Sequence, residues 1–311
     1  RGGSKGGRQA MGGHEVTPLY PVYIVSKGRW EHRLRLTARA LDNMKIPYFI
    51  VVEDSQFAQY AAAVGAERCL VLPEKYKVEY DLFGKFDDGK TGPGPARNFA
   101  WQHSIDNGYK WHWVMDDNIG SFRRLHNNLQ IRVSGGAIFR AMEDWCDRYE
   151  NVVIGGPQYD FFLPSKYAFP PYVLNTRVYS CLLIRNDLPH RWRGRYNEDT
   201  DLCLRALKSG FVTVQFNAFI QEKKETQGMR GGNTDEFYLQ EGTKAKSEML
   251  AAMHPDCAKV IWKYGRWHHH VNYKVFKQRP ALREGIVIDA GFNNYGMELS
   301  LKAPARQEVQ Q

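Results

Sequence analysis

The residues with the clearest chemical potential follow an apolar run near the middle of the chain. The run, residues 111–115, stops at three oxygen-bearing side chains, Asp116, Asp117 and Asn118. A buried strand that ends in this way places hard oxygen ligands at the carboxyl edge of a sheet, where open α/β folds bind their ligands. Such oxygens suit Mg²⁺ or Mn²⁺, which usually bridge carboxylates to a substrate diphosphate. The competing interpretation is a solvated turn, because Asp and Asn favour turns.

Two further polar groups follow the first and second predicted strands. Ser26, Lys27 and Arg29 offer a hydroxyl and two cations to the phosphates or ribose of a nucleotide, and Glu53 offers a carboxylate to its base or ribose. Both groups would then lie at the same sheet edge as the acidic residues. Each is equally well explained as a solvated turn between a strand and a helix.

A glycine- and proline-rich approach, residues 92–98, opens a predicted helix and ends in Arg97-Asn98. Helix N-terminal amides and the positive end of the helix dipole favour a diphosphate. Arg97 adds a planar cationic fork that matches phosphate oxygens better than a lysine does. The segment is not a Walker loop, because the Gly-Lys-Ser/Thr ending is absent. We therefore interpret it as a phosphate-binding segment.

Glu198 and Asp199 open a later predicted helix. Carboxylates in the first turn of a helix are common as caps. A carboxylate on a loop after a late strand can also face a bound metal and act as a general base. Further along, three consecutive histidines, residues 268–270, cannot all face one point. At most one of them is then a metal ligand, and a stacking or surface role is at least as well supported for each.

The elements that would position these residues alternate in type along the chain. Strands are predicted over residues 21–26, 48–52, 68–72, 111–115, 152–154, 178–185 and 212–216. Helices are predicted over residues 29–43, 56–64, 96–104, 135–149, 199–209 and 247–253. The opening rhythm of strand, helix, strand, helix and strand predicts a parallel sheet. Residues 156–176 carry prolines and aromatic residues and are predicted to form an ordered, irregular substrate-facing loop.

The composition narrows the class of protein. The 311 residues are 43% apolar and carry a formal net charge of +9, with a pI of about 9.2. A basic balance suits a polyanionic partner, nucleic acid or a nucleotide diphosphate. No apolar stretch reaches about eighteen residues, so we expect no membrane span. No signal peptide is visible. The five cysteines show no Cys-x-x-Cys pair and are predicted to be reduced, mostly buried thiols.

Three segments are expected from this pass. Residues 1–15 are Gly-rich and basic and are interpreted as a disordered extension or tag remnant. Residues 16–225 form the core. Residues 226–311 form a mobile loop and a basic, aromatic C-terminal extension that completes the active site.

Together these motifs resemble the GT-A class of nucleotide-sugar-dependent glycosyltransferases. The resemblance implies an α/β, Rossmann-like, mostly parallel sheet flanked by helices. It implies that the donor contacts Ser26, Lys27, Arg29, Glu53, Arg97, Asn98 and Asp116. It also implies a metal held among Asp116, Asp117, Asn118 and His268, or a neighbour of that histidine, and a catalytic carboxylate at Asp199, with Glu198 second.

More narrowly, the chain is similar to the TET/JBP-associated glycosyltransferases of bacteriophages, relatives of the base J glucosyltransferase. The stretch Val-Met-Asp-Asp-Asn-Ile-Gly-Ser-Phe, which ends at Phe122, carries most of this similarity. The Val-Ser-Lys-Gly-Arg start and the Tyr-Asn-Glu-Asp-Thr-Asp-Leu stretch agree with it. The acidic motif departs from a plain Asp-x-Asp, so the similarity does not assign the metal to one oxygen.

The similarity implies transfer of a sugar from a UDP-sugar to 5-hydroxymethylcytosine in phage DNA, with Mn²⁺ or Mg²⁺, in the cytoplasm of an infected bacterial host. Cations and aromatic residues of the C-terminal extension, with aromatic residues from 159 to 172, would contact the DNA. The stereochemistry of the transfer stays open. Two alternatives compete: a GT-A transferase acting on a protein or glycan acceptor, and a non-catalytic nucleic-acid-binding module with a degenerate transferase fold.

Overall fold

The computed structural model describes residues 16–86, 88–224 and 243–287, and a ten-stranded sheet forms its centre. The strands of this sheet are β1 Val22–Val25, β2 Phe49–Val52, β3 Cys69–Val71, β4 Trp111–Asp116, β5 Ile119–His126, β6 Leu129–Arg132, β7 Val152–Tyr159, β8 Tyr172–Leu174, β9 Cys181–Arg185 and β10 Val212–Lys223. Their order is β3-β2-β1-β4-β9-β7-β10-β5-β6, and β8 pairs with β10.

One half of the sheet is parallel and the other half is mixed. The strands β3, β2, β1 and β4 all run in the same direction. Beyond β4, the strand β9 is antiparallel to both of its neighbours, and β7 and β10 are again parallel to each other. The parallel half therefore brings the carboxyl ends of β1, β2 and β4 to one edge, as the sequence pattern predicts.

The α-helices are α1 Leu36–Asn43, α2 Phe57–Val64, α3 Lys75–Val78, α4 Gly94–Asp106, α5 Ala137–Asp147, α6 Glu198–Lys208 and α7 Lys244–Met253. Side chains of α1, α2 and α5 pack on one face of the sheet, and those of α4 and α6 pack on the other. Because both faces are covered, the central strands are apolar at successive positions. The predicted α/β class, a sheet flanked by helices, is confirmed.

A buried carboxylate anchors the chain that leads into β1. Glu143 of α5 accepts hydrogen bonds from the backbone N–H groups of Leu19, at 2.8 Å, and Tyr20, at 3.2 Å. It also accepts one from the indole N–H of Trp113, at 2.8 Å. Burial raises the pKa of Glu143 to about 7, and these donors oppose the shift.

The C-terminal segment forms its own small layer. Two antiparallel strands, β11 Ala258–Lys263 and β12 Arg266–Val271, pair only with each other in the described part of the chain. Leu250 of α7 and Leu204 of α6 form an apolar cluster with Cys257 and Ala258, and the following Phe276 packs against it. This cluster attaches the extension to the body of the protein.

Several predicted boundaries are wrong. The helix expected over residues 29–43 begins only at Leu36. The strand expected over residues 212–216 continues to Lys223, because the buried polar side chains of Gln215, Asn217 and Gln221 interrupt its apolar pattern without ending it. The irregular region 156–176 contains the end of β7, a 3₁₀ turn at Asp160–Phe162, and β8. The hairpins β5–β6 and β11–β12 were not predicted.

The remaining expectations concern the cysteines, a membrane span and two segments of the chain. All five cysteines are buried and free, as predicted. None of the helices in the described ranges is long and apolar enough to cross a membrane. The expected N-terminal extension, residues 1–15, lies outside the described residues. So does the first part of the expected loop and C-terminal extension, residues 226–242.

Candidate active site

The carboxyl ends of β1, β2 and β4 open into a cavity of about 580 Å³, here called the strand-edge cavity. Its volume falls within the range of small-molecule binding sites. Ten of the twelve site residues proposed from the sequence line it: Ser26, Lys27, Arg29, Glu53, Arg97, Asp116, Asp117, Asn118, Glu198 and Asp199. Asn98 and His268 do not line it. The structure therefore brings most of the proposed residues together.

Asp117 is held in a buried network at the end of β1. Its carboxylate pairs with the Arg29 guanidinium and accepts a 2.6 Å hydrogen bond from the Ser26 hydroxyl. That hydroxyl lies 2.7 Å from the hydroxyl of Tyr60, which also accepts a hydrogen bond from the backbone N–H of Arg29. Burial raises the pKa of Asp117, and the Arg29 cation opposes the shift. Both oxygens of Asp117 are therefore engaged within the protein.

Asp116 carries one cation on each oxygen. Its Oδ1 accepts a 2.7 Å hydrogen bond from Arg97, and its Oδ2 accepts a 2.8 Å hydrogen bond from Lys223 at the end of β10. Burial opposes ionisation, but Lys223 and Arg97 hold the pKa of Asp116 well below its usual range. Asp116 is therefore a carboxylate at neutral pH.

Arg97 connects the acidic motif to helix α6. It donates through Nη2 to Asp116 and through Nη1, at 2.8 Å, to Glu198, while its guanidinium lies 4.6 Å from the ring centroid of Trp192. Only 3% of the residue is exposed. The Arg97 guanidinium, which we expected to contact phosphate oxygens, therefore contacts two carboxylates in this structure.

The glycine-rich approach brings Arg97 to this position by close packing. A Cβ atom at Gly94 would lie 1.8 Å from the Tyr80 hydroxyl, so only glycine fits there. That hydroxyl donates to the backbone carbonyl of Gly194 at 2.9 Å. Asn98 follows Arg97 in α4, and its amide exchanges two 3.0 Å hydrogen bonds with the backbone of Trp192. Asn98 does not line the cavity, because both ends of its amide hold the chain at Trp192, and its contact with the nucleotide stays a prediction.

The two carboxylates at the start of α6 differ in environment. Glu198 is 8% exposed and paired with Arg97, and burial raises its pKa. Asp199 is partly exposed at the cavity wall, and its Oδ1 accepts a 2.7 Å hydrogen bond from the backbone N–H of Thr200. Asn197, in the left-handed conformation, precedes them and donates to the carbonyl of Lys246 at 2.7 Å. The turn that positions both carboxylates is thus tied to α7.

The sequence pattern missed most of the cations that line the cavity. Among the described residues, nine lysines and arginines face five carboxylates there, a formal excess of four positive charges. The missed cations come from late in the chain: Arg177, Arg195, Lys223, Lys224, Lys246 and Arg266. A positive cavity attracts anions such as a diphosphate. Nothing in the sequence pattern distinguishes these lysines and arginines from the charged residues of an ordinary protein surface.

The structure distinguishes the candidate histidines by position, and a metal-ligand role for either of them stays a prediction. His269 lines the cavity, whereas His268 lies outside it and accepts a 3.3 Å hydrogen bond from Arg266. Neighbouring residues of a strand point to opposite faces, so only one of the two can face the site. Burial lowers the pKa of His269 to about 3, and the cations of Arg177 and Lys246 add to the shift. His269 is therefore neutral at physiological pH.

The oxygen atoms at the acidic motif fit a hard divalent cation. The Oδ1 atom of Asn118 is buried and has no hydrogen-bond partner among the residues that the structure describes, while its amide nitrogen donates to the carbonyl of Lys224. Asn118 and Asp116 both line the cavity. Carboxylate and amide oxygens are the ligands that such ions take. Of the proposed ligands, these two supply donors, with Lys223 as a competitor for Asp116.

A family model matches this chain, and a solved structure is similar to it. A family model described as TET-Associated Glycosyltransferase matches residues 20–232, more than half of the chain. No curated protein matches the chain significantly. One similar solved structure is glucosyl-3-phosphoglycerate synthase from Mycobacterium tuberculosis in complex with Mg²⁺ and uridine diphosphate. It is 10% identical, with a TM-score of 0.46, over 83% of this chain and 87% of that chain. The extent of the family match shows that this chain belongs to the TET-associated glycosyltransferases.

Proposed function

We propose that this glycosyltransferase, of GT-A type, moves a sugar from a UDP-sugar to the hydroxyl of 5-hydroxymethylcytosine in phage DNA, with the help of Mn²⁺ or Mg²⁺. The observation that carries the proposal is the strand-edge cavity, where the acidic motif, the cations and the α6 carboxylates converge. The family membership supports sugar transfer, and the net charge of +9 supports a polyanionic acceptor. If the acceptor is phage DNA, the protein acts in the cytoplasm of the infected host, where that DNA is found.

The donor nucleotide is assigned to the parallel half of the sheet. Lys27 and Glu53 lie at the ends of β1 and β2, 3.8 Å apart, where they can contact the ribose and base. The diphosphate is assigned to the neighbouring region around Asp116, where Arg97 and Lys223 supply fixed positive charge. Preorganised cations stabilise charge that develops on a departing group and need no rearrangement as the reaction proceeds.

The reaction breaks the bond between the anomeric carbon and the donor phosphate oxygen, and it forms a bond from that carbon to the acceptor oxygen. UDP leaves with the electron pair. When bound, a divalent cation held by Asp116 and Asn118 supplies Lewis-acid stabilisation to the departing diphosphate. The acceptor hydroxyl must lose its proton, which in an inverting transfer passes to a carboxylate of the protein.

Asp199 is the better base of the two carboxylates in α6. Glu198 is buried and its oxygen Oε1 is bound to Arg97, so it is poorly placed to meet an incoming hydroxyl. Asp199 is more exposed at the wall of the same cavity. We assign Asp199 as the general base and Glu198 as a residue that positions Arg97 and the start of α6.

The proposal is tested with the purified protein, a panel of UDP-sugars and oligonucleotides that contain either 5-hydroxymethylcytosine or cytosine. Nucleoside mass spectrometry measures the product. We expect a mass gain of one sugar only on the hydroxymethylated base, and loss of that product in excess EDTA. Asp116→Ala should abolish transfer, whereas the control Glu31→Gln, at an exposed site that does not line the cavity, should not.

Three outcomes would contradict all or part of the proposal. Turnover on a glycan or protein acceptor, with none on hydroxymethylated DNA, would show that the acceptor is wrong. No hydrolysis of any UDP-sugar, together with DNA binding, would indicate a non-catalytic module. Full activity in excess EDTA would overturn the metal assignment while leaving the acceptor assignment in place.

A further inference from the structure

The hairpin formed by β11 and β12 packs against α7 and exposes its turn. A two-residue turn joins its strands, and both turn residues, Tyr264 and Gly265, have positive φ angles of 54° and 73°. Such turns match the twist of antiparallel strands. The base of the hairpin is anchored where Ala258 and Val271 join the apolar cluster with α7, and nearer the turn Lys244 of α7 lies 6.0 Å from the ring centroid of Trp267. The half that includes the turn extends away from this anchor.

Large aromatic side chains are exposed in this outer half. Tyr264 is 82% exposed, Trp262 is 60% exposed and Trp267 is 37% exposed. The two tryptophans lie directly opposite each other in the strand register, and their ring centroids are 5.1 Å apart. Exposed aromatic rings grouped in this way mark an interaction surface.

The other face of the hairpin is basic. Register places Lys259, Lys263 and Arg266 on one face, whereas Trp262 and Trp267 share the opposite face. The Lys263 ammonium lies 4.7 Å from the ring centroid of Tyr264 at the turn. The hairpin therefore carries cations on one face and tryptophan rings on the other, and a cation and an aromatic ring lie side by side at its turn. A protein partner bound through an apolar surface would not need this combination, since three cations would have to be desolvated with it.

The hairpin also borders the strand-edge cavity. Arg266 and His269, both in β12, line that cavity. Phe161 and Phe162, in the 3₁₀ turn after β7, line it as well, and Phe161 is 73% exposed. The hairpin and this aromatic turn therefore both contribute to the lining of the cavity.

We propose that the β11–β12 hairpin is a DNA-docking element that holds an unstacked strand at the mouth of the cavity. Lys259, Lys263 and Arg266 contact backbone phosphates, and Tyr264 and Trp262 stack on a base next to the target nucleotide. Stacking on aromatic rings is tolerant of sequence, and cations that track the backbone complement it. The unstacked target base then enters the cavity with its hydroxymethyl group toward Asp199. This inference rests on the proposed DNA acceptor.

The test compares the intact protein with two hairpin variants and a matched control. Trp262→Ala/Tyr264→Ala removes exposed rings, and Lys259→Gln/Lys263→Gln removes exposed charges. The control, Tyr109→Ala/Lys110→Gln, makes the same kinds of change at the opposite edge of the sheet, before β4. Thermal unfolding of each variant verifies that the fold is retained.

The readouts separate docking from chemistry. An oligonucleotide with 2-aminopurine next to the target base reports unstacking by its fluorescence, and anisotropy gives DNA affinity without turnover. We expect the aromatic variant to weaken DNA binding about 5- to 150-fold and to lose the 2-aminopurine signal. The charge variant should reduce the slope of log affinity against log salt by about 0.7 to 0.9 per lost phosphate contact. Hydrolysis of UDP-sugar without DNA should stay unchanged in both.

Several outcomes would overturn the inference, and none of them is confused with failure of the proposed function. If the intact protein glycosylates DNA and the hairpin variants do so with unchanged affinity and unchanged 2-aminopurine signal, the hairpin is not the docking element. Preferential binding of the intact hairpin to anionic phospholipid vesicles, abolished in the same variants, would assign it to a membrane surface. Failure of the intact protein to modify any DNA would instead contradict the proposed acceptor.

Discussion

Replacing Arg97 by methionine should destabilise the fold strongly, because Arg97 is the buried cation shared by Asp116 and Glu198. Each of its contacts, at 2.7 and 2.8 Å, is worth about 6 kcal/mol of Coulomb energy at an effective dielectric constant of about 20, before desolvation is subtracted. Removing one partner of a buried ion pair typically costs about 3–5 kcal/mol. Lys223 still neutralises Asp116 in the variant, so the cost arises mainly at Glu198.

The pH dependence of this loss identifies its source. Burial already raises the pKa of Glu198 above 4.5, and without Arg97 it should rise further. A group whose pKa is raised in the folded state contributes stability that is present at low pH and is lost as the pH rises through the folded value. Arg97→Met should therefore be least destabilising near pH 5 and most destabilising near pH 8.

Urea unfolding of four proteins measures the effect: the parent, Arg97→Met, Glu198→Gln and the double variant. Adding Glu198→Gln to Arg97→Met should recover a large part of the lost stability, because it removes the unpaired charge. The surface pair of Arg68 and Asp42, about 40% exposed on each side, supplies the control. Arg68→Met should cost no more than about 1 kcal/mol. A similarly small cost for Arg97→Met, independent of pH, would refute the buried-charge argument.

Three further predictions concern the metal site, the proposed general base and the buried carboxylate of α5. Lys223→Met should tighten Mn²⁺ binding about 10- to 100-fold, because it removes a charged hydrogen bond from Asp116. Titrations followed by electron paramagnetic resonance, made with and without UDP, measure the affinity. An unchanged affinity without UDP would show that Lys223 and the metal do not compete. Asp199→Asn should lower turnover by about two to four orders of magnitude with the Kd for UDP nearly unchanged; a parallel loss of UDP affinity would make Asp199 a structural cap. Because the pKa of Glu143 is raised in the folded state, the protonated side chain contributes stability that is lost as the pH rises. The free energy of unfolding of the parent should therefore fall by up to about 3 kcal/mol between pH 4.5 and 7, relative to that of Glu143→Gln. Equal slopes of unfolding free energy against pH in the two proteins would refute this.

The position of the cavity could be predicted from the sequence because it depends on short-range signals. An apolar run that stops at Asp116, or at Ser26, indicates a strand end, and parallel strands bring such ends to one edge. The parallel half of the sheet follows from the same alternation of strands and helices. These inferences need only the order of elements and the positions where polar residues interrupt them.

The pairing of charges could not be predicted, because it depends on contacts between distant residues. Lys223 reaches Asp116 across 107 positions, from the end of a strand whose buried glutamines and asparagine disguise its length. Arg97 reaches Glu198 across 101 positions. The choice between His268 and His269 depends on which face of β12 is buried, and the sequence shows only that the two point in opposite directions.

The charge balance of the cavity also bears on the order of binding. Each oxygen of Asp116 already faces a cation, and the described lining carries four more positive charges than negative ones. A divalent cation that enters alone meets this excess, whereas one that enters with a diphosphate brings no net charge. The cations assigned to the diphosphate therefore should also oppose binding of metal in its absence, so we expect metal and donor to bind cooperatively. A manganese affinity that rises with UDP in the parent, and rises less when Lys223 is removed, is the signature of this coupling.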